Sequence, residues 1–185
     1  MDELLAKITD YGDEAHGDQM RKYVPDRYMV HPVRVMEKLR GITDDKTILA
    51  AALLHDVLED TPVTENEMHQ FLLTLMNSDE ARRTLDLVVE LSDVYVKSAY
   101  PKLNRRTRKS KELDRLEKTS ADSQTIKYAD ILDNTMEIVD EDSSFAKVYL
   151  SEVRQILRRL DKGDAQLRSE AMEAVENGLN RLNVH

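Results

Sequence analysis

The sequence predicts an all-α protein, a single helical domain of about nine helices built from one chain of modest length. Three observations carry that expectation. Apolar residues recur three and four apart almost throughout, the spacing of a helix that buries one face. Only 5 Gly and 4 Pro interrupt the 185 residues, so turns are few and elements long. No two runs alternate apolar and polar residues where they could pair as strands.

Leu4, Leu5, Ile8, Tyr11 and Ala15 form the first stripe. A loop around residues 18 to 28, containing Pro25, leads into a second helix from about Val30 to Arg40, which Gly41 stops. Asp44 or Asp45 can cap a third helix from Lys46 to about Asp60. Residues 48 to 54 read Ile-Leu-Ala-Ala-Ala-Leu-Leu, apolar on every side, as in a central buried helix. Pro62 ends it, and Thr64 with Glu67 is a capping box for a helix carrying Met68, Phe71, Leu72 and Leu75.

Ser78 and Asp79 begin a helix that ends near Ser92. A loop with Tyr100-Pro101-Lys102 precedes a charged helix from about Asn104 to Lys118, and another spans roughly Ser123 to Met136. Two amphipathic helices, about Ser144 to Leu160 and Asp164 to Leu182, follow. No repeat, low-complexity segment or linker divides the chain, so residues 1–185 read as one domain with the last helix packed on the rest.

Hydrophobic residues make up 41% and charged residues 34%, enough for a core beneath a well-solvated helical surface. A net charge of −9 argues against a protein that coats nucleic acid or an anionic membrane, though it leaves room for a small anionic substrate. The absence of cysteine excludes disulfides, thiolate metal sites and a cysteine nucleophile. An acidic Met-Asp-Glu-Leu-Leu start and the lack of a long apolar run make a cytoplasmic location the expectation. A second catalytic domain is not expected at this length.

Three segments carry chemistry. In His55-Asp56-Val57-Leu58-Glu59-Asp60-Thr61, adjacent His and Asp close a buried helix, where their desolvation is costly unless something binds them. A divalent ion is the usual partner of an imidazole beside a carboxylate. On one helix, His55 and Glu59, and Asp56 and Asp60, are four apart, so the four side chains can share one helix end. The plain alternative is a polar helix end with solvated acids. Acids at a C-terminus oppose the macrodipole, which argues for a compensating cation.

His31-Pro32 begins the second helix, from which a hairpin with the third can bring it near His55. Alone, a His before Pro is a cap or a surface residue. In Lys127-Tyr128-Ala129-Asp130-Ile131-Leu132-Asp133-Asn134, Asp130 sits beside an inward apolar face and shares a direction with Asn134, one turn on. Asp133 reads as part of a solvated helix end. His16 reads as a satisfied structural histidine, and Arg105, Arg106, Arg108, Lys109 and Lys111 as a solvated face that could also reach the mouth of a pocket.

Taken in order, these segments resemble the HD phosphohydrolase superfamily, and within it the RelA/SpoT-type hydrolase domain and the stand-alone small alarmone hydrolases of the Mesh type. The matching text is His16-Gly17-Asp18-Gln19-Met20-Arg21-Lys22, Tyr28-Met29-Val30-His31-Pro32, Ala51 through Thr61, Pro101-Lys102-Leu103-Asn104-Arg105 and Lys127-Tyr128-Ala129-Asp130. It covers roughly residues 4 to 160. The resemblance implies that His31, His55, Asp56 and Asp130 ligate a divalent metal, usually manganese. It implies that Glu59 and Asp60 activate the water nucleophile and pass its proton. Arg21, Lys22, Lys102, Asn134 and Tyr149 then contact the nucleotide.

The reaction implied is hydrolysis of the 3′-pyrophosphate of guanosine tetra- or pentaphosphate. An HD phosphatase for another nucleotide or phosphorylated metabolite would keep the ligands without needing Arg21, Lys22 and Lys102. A non-catalytic binding module would not need Glu59 and Asp60. The chain departs from the family in Gly17-Asp18-Gln19, in one extra residue before His31, in Asp133, and in Met136 where a basic residue is usual.

Overall fold

The α-helices that the apolar spacing predicts are present, and among the described residues the one extended pairing is a lone bridge between Met20 and Arg27. The structure is a computed structural model that describes residues 2–22, 24–141 and 143–183, with side chains outside the description at 140, 141, 143, 144 and 183. The chain divides into two compact units, residues 1–92 and 93–185.

The first unit holds α1 (Glu3–His16), α2 (Val30–Arg40), α3 (Lys46–Leu54), α4 (Val57–Asp60), α5 (Glu65–Leu73) and α6 (Ser78–Leu91). Every residue of α3 from Thr47 to Leu54 is buried, as its all-round apolar composition predicts, and α1, α2 and α6 pack around it. Asp45, rather than Asp44, caps α3: its Oδ1 accepts from Thr47 N at 2.9 Å. The Thr64–Glu67 capping box is present. A second box, Asn77 with Glu80, caps α6, which begins at Ser78 as predicted.

The loop between α1 and α2 returns on itself. Gly17 adopts φ +57°, a left-handed conformation that a side chain would strain. Arg27 then clasps the loop, donating to both carboxylate oxygens of Asp13 at 3.0 and 2.9 Å and to the Gly17 carbonyl at 3.0 Å.

The helix predicted from Lys46 to Asp60 is broken at His55–Asp56, so ten helical segments lie among the described residues. The break has a local cause. His55 Nδ1 donates to the Ala52 carbonyl at 2.7 Å, an acceptor that a continuing helix would offer to the Asp56 N–H. Asp56 relaxes to φ −98°, ψ −9° and starts the single turn of α4.

The second unit holds α7 (Arg105–Leu116), α8 (Ala121–Glu141), α9 (Ser143–Arg159) and α10 (Ala165–Asn183). The C-terminal helix α10 packs on α8 and α9. Tyr128 is fully buried and donates to the Leu160 carbonyl at 2.9 Å. Helix α8 runs past the predicted Met136, which places Asp133 mid-helix and only 3% exposed, not in a solvated end. The basic start of α7 is largely engaged within its own unit. Arg105 forks onto Glu152 of α9 at 2.9 and 2.7 Å, Arg108 donates to the Leu103 carbonyl, and Lys109 pairs with Asp93 at 3.1 Å. Lys111 lies over the Tyr95 ring.

Candidate metal centre

The break after α3 turns His55 and Asp56 toward the start of α2, where His31 occupies the first turn just before Pro32. His31 and His55 are 1% and 3% exposed, with ring centroids 5.3 Å apart and the rings edge to face. His55 Nε2 lies 3.1 Å and His31 Nε2 3.9 Å from Asp56 Oδ2. One ligand atom from each of the three lies within 4.8 Å of the others. Donors roughly 2.0–2.2 Å from one ion stand roughly 3–4.4 Å apart, a range that holds both histidine-to-Asp56 distances, so the three could hold a divalent cation.

The surroundings prepare them for that task. A carbonyl only accepts, so the His55 Nδ1 that meets Ala52 must carry the proton, and a neutral ring keeps its lone pair on Nε2, toward Asp56. The Tyr28 hydroxyl donates to Asp56 Oδ2 at 2.8 Å. Burial first, and then the charges of Asp56 and Asp60, hold the Tyr28 phenol far above the usual tyrosine range, so it remains a donor. The Arg21 guanidinium stands over the same ring, 5.5 Å from its centroid.

Glu59 and Asp60 are exposed on α4, the turn directly after Asp56. Arg21 is half-buried and Lys22 exposed on the clasped loop. The first unit therefore gathers three of the predicted ligands, both predicted catalytic acids and two of the predicted nucleotide contacts. The other four site residues belong to the second unit. Asp130, 5% exposed on α8, accepts from Asn134 Nδ2 at 2.6 Å, the i,i+4 pair expected from their spacing, and from Lys127 Nζ at 2.8 Å. Lys102 is exposed in the loop before α7, and Tyr149 is half-buried on α9.

Reading the sequence singled out no role for Tyr28 or Lys127. Both carried a signal: each stands three residues before a proposed ligand, His31 and Asp130. For Lys127, that spacing makes an ion pair along one helix face.

Comparison with known proteins agrees with this geometry. The chain is 28% identical over 167 residues to a probable guanosine-3′,5′-bis(diphosphate) 3′-pyrophosphohydrolase of Mycoplasma pneumoniae, covering 85% of this chain and 22% of that protein. A stretch of 68 residues, 37% of this chain and 10% of the relative, is 38% identical to the guanosine-3′,5′-bis(diphosphate) 3′-pyrophosphohydrolase of Aquifex aeolicus. The chain thus spans no more than 22% of the length of these two relatives.

Among solved structures, a metazoan ortholog of SpoT that hydrolyses ppGpp superposes with a TM-score of 0.80 at 23% identity, over 97% of this chain and 98% of that one. A protein of Listeria monocytogenes EGD-e superposes with a TM-score of 0.61 at 20% identity, over 86% and 99%. These two likenesses concern the fold. The HD domain model matches residues 28–135, more than half of the chain, and His31, His55, Asp56 and Asp130 all fall inside the match. By that match the chain belongs to the HD domain family.

Proposed function

We propose that this chain is a metal-dependent phosphohydrolase that releases pyrophosphate from the 3′ position of guanosine tetra- or pentaphosphate. The observation that carries the reading is the meeting of His31, His55 and Asp56 beside the exposed acids Glu59 and Asp60. The names borne by its relatives supply the substrate. Residues 1–185 then act as one HD phosphohydrolase domain. Asp130 is assigned as the fourth ligand on its place in the family pattern, and manganese as the ion. The substrate is a small anionic nucleotide, with no nucleic-acid or membrane partner, and the reaction is assigned to the cytoplasm. No helix among the described residues is long and apolar enough to cross a membrane.

When bound, the divalent ion makes its water more acidic and neutralises charge on the phosphoryl oxygens. The protein does the rest. Ala52 holds the His55 ring in its ligating tautomer, and the Tyr28 phenol orients Asp56. Glu59 and Asp60 take the proton of the attacking water and return one to the departing 3′ oxygen. Arg21, Lys22, Lys102, Asn134 and Tyr149 hold the nucleotide, with the cations supplying the positive charge that an acidic protein otherwise lacks near a polyphosphate.

With manganese, pyrophosphate release from guanosine tetraphosphate should far exceed phosphate release from simple nucleotides. Glu59→Gln and Asp60→Asn should each lose about a hundredfold or more in turnover while still binding manganese. Arg21→Ala and Lys102→Ala should cost about 1.5–3 kcal/mol in kcat/KM, with the ion retained. Met136, 66% exposed where the family usually carries a base, favours a second reading, an HD-type phosphatase for another nucleotide or phosphorylated metabolite. Single phosphates released from many substrates, with no preference for a 3′-pyrophosphate, would decide for it.

A further inference from the structure

His16 ends α1 with 7% of its surface exposed, and it is not a fully satisfied structural histidine: Nε2 is buried without a hydrogen-bond partner among the described residues. Its Nδ1 lies 2.9 Å from Gln19 Oε1, and Gln19 Nε2 lies 3.3 Å from Asp60 Oδ2. Charge sets the direction of this relay. An ionised carboxylate only accepts, so Gln19 turns its NH2 to Asp60 and leaves its carbonyl oxygen to His16. That oxygen also only accepts, so the proton sits on Nδ1, the arrangement that leaves Nε2 bare.

The backbone is built around the same contact. The left-handed turn at Gly17 brings the Gln19 N–H back to the His16 carbonyl at 3.1 Å, and Arg27 clasps the loop to Asp13. The His16 ring also stacks on Tyr28, with centroids 4.4 Å apart and planes 28° apart. One buried imidazole therefore touches the donor to Asp60 and the donor to Asp56.

We infer that His16, acting through Gln19, is a positioning residue for Asp60: its Nδ1–H anchors the Gln19 carbonyl oxygen, and the anchored amide holds that exposed carboxylate in place. Asp60 is the last residue of the single-turn helix α4, where an exposed carboxylate would otherwise sample several rotamers. With Oδ2 tied to Gln19, the acid is presented in one orientation for the proton. The role rests on the reading of Asp60 as proton acceptor.

Three variants separate the bond from the ring. His16→Phe keeps a ring against Tyr28 and removes the donor, His16→Asn keeps a donor near the Nδ1 position and removes the ring, and Gln19→Leu removes the relay. With manganese and guanosine tetraphosphate, H16F and Q19L should each lose about tenfold in kcat, with KM and manganese affinity within about twofold of wild type. H16N should recover to within about threefold, and H16F/Q19L should be no slower than the slower single variant, since both cut one path. Independently of any substrate, nitrogen-15 spectra of labelled histidine should show His16 as the Nδ1–H tautomer, and Q19L should abolish that preference.

Wild-type kcat in H16F, an H16N slower than H16F, or an Nε2–H tautomer in the wild-type spectrum each overturns the inference. Asp60→Asn tells the two failures apart. An inactive D60N beside a wild-type H16F removes only the positioning role, whereas an active D60N removes the catalytic assignment of Asp60 on which it rests. If the wild-type chain does not turn over guanosine tetraphosphate, the substrate assignment fails and the tautomer still decides the relay.

Discussion

Burial and the carboxylates of Asp56 and Asp60 keep the Tyr28 phenol protonated, so its hydroxyl serves as a permanent donor to Asp56. Partners of this kind orient a ligating carboxylate without touching the ion, and their loss typically weakens metal binding by roughly 10–100-fold. Tyr28→Phe should show that loss in a manganese titration while its far-ultraviolet circular dichroism stays that of the wild type. Unchanged affinity would mean that Asp56 is held by other contacts. The histidines and Asp56 were legible in the sequence because a metal needs those residue types and the motif places them in order. Tyr28 was not, because a phenol becomes part of the site only through where its hydroxyl ends up.

Helix α3 carries His55 and Asp56 at its end, and its start is governed by Asp45. Burial works to raise the Asp45 carboxyl, but hydrogen bonds from Arg83 and Thr47 outweigh it and hold the group below the usual aspartate range. A carboxyl lowered in the folded state stabilises the fold above its unfolded value of about 3.9, and that contribution fades as pH falls through the folded value. Asp45→Ala should therefore cost about 1 kcal/mol at neutral pH, and its deficit should shrink as the pH falls below about 3.9. Urea unfolding of both proteins across that range checks it; a deficit independent of pH would mean that the ionised carboxylate is not what caps the helix. The caps at Asp45 and Thr64 were readable in advance because an N-cap is a local signal a few residues long. The break at His55–Asp56 was not, since an uninterrupted helix satisfies the same apolar pattern.

For the protein as a whole, binding of an ion by the proposed ligands would be linked to folding, because His31, His55 and Asp56 come together only in the folded chain. Manganese at a hundred times its dissociation constant should add about 2.7 kcal/mol to the stability of the folded state. Over a chain of this length that corresponds to a rise of roughly 5–10 °C in Tm. A chelator should reverse the rise and His55→Ala should abolish it, both measured by thermal unfolding. No rise with manganese or any other divalent ion would sink the metal centre altogether. The acidic balance of 36 Asp and Glu against 27 Lys and Arg does not conflict with an anionic substrate, because Arg21 places positive charge over the Tyr28 ring and Lys22 follows it on the same loop.

The all-helical class, the buried α3, most helix boundaries and the meeting of His31, His55 and Asp56 could be read along the chain. Each is written in a few neighbouring residues, as a spacing, a capping pair or a two-letter motif. The burial of Asp133 and the engagement of the α7 cations by their own unit required knowing which faces pack together. The bond from Tyr28 to Asp56 spans 28 positions and that from Gln19 to Asp60 spans 41, distances over which no periodicity records a meeting. Such contacts are set by the packing of α1 and α2 on one buried helix and of α4 on α1, and by a loop whose course depends on a left-handed glycine and a clasping arginine. That is why the proposed ligands were visible as letters, while the groups that aim them became visible only once the chain was folded.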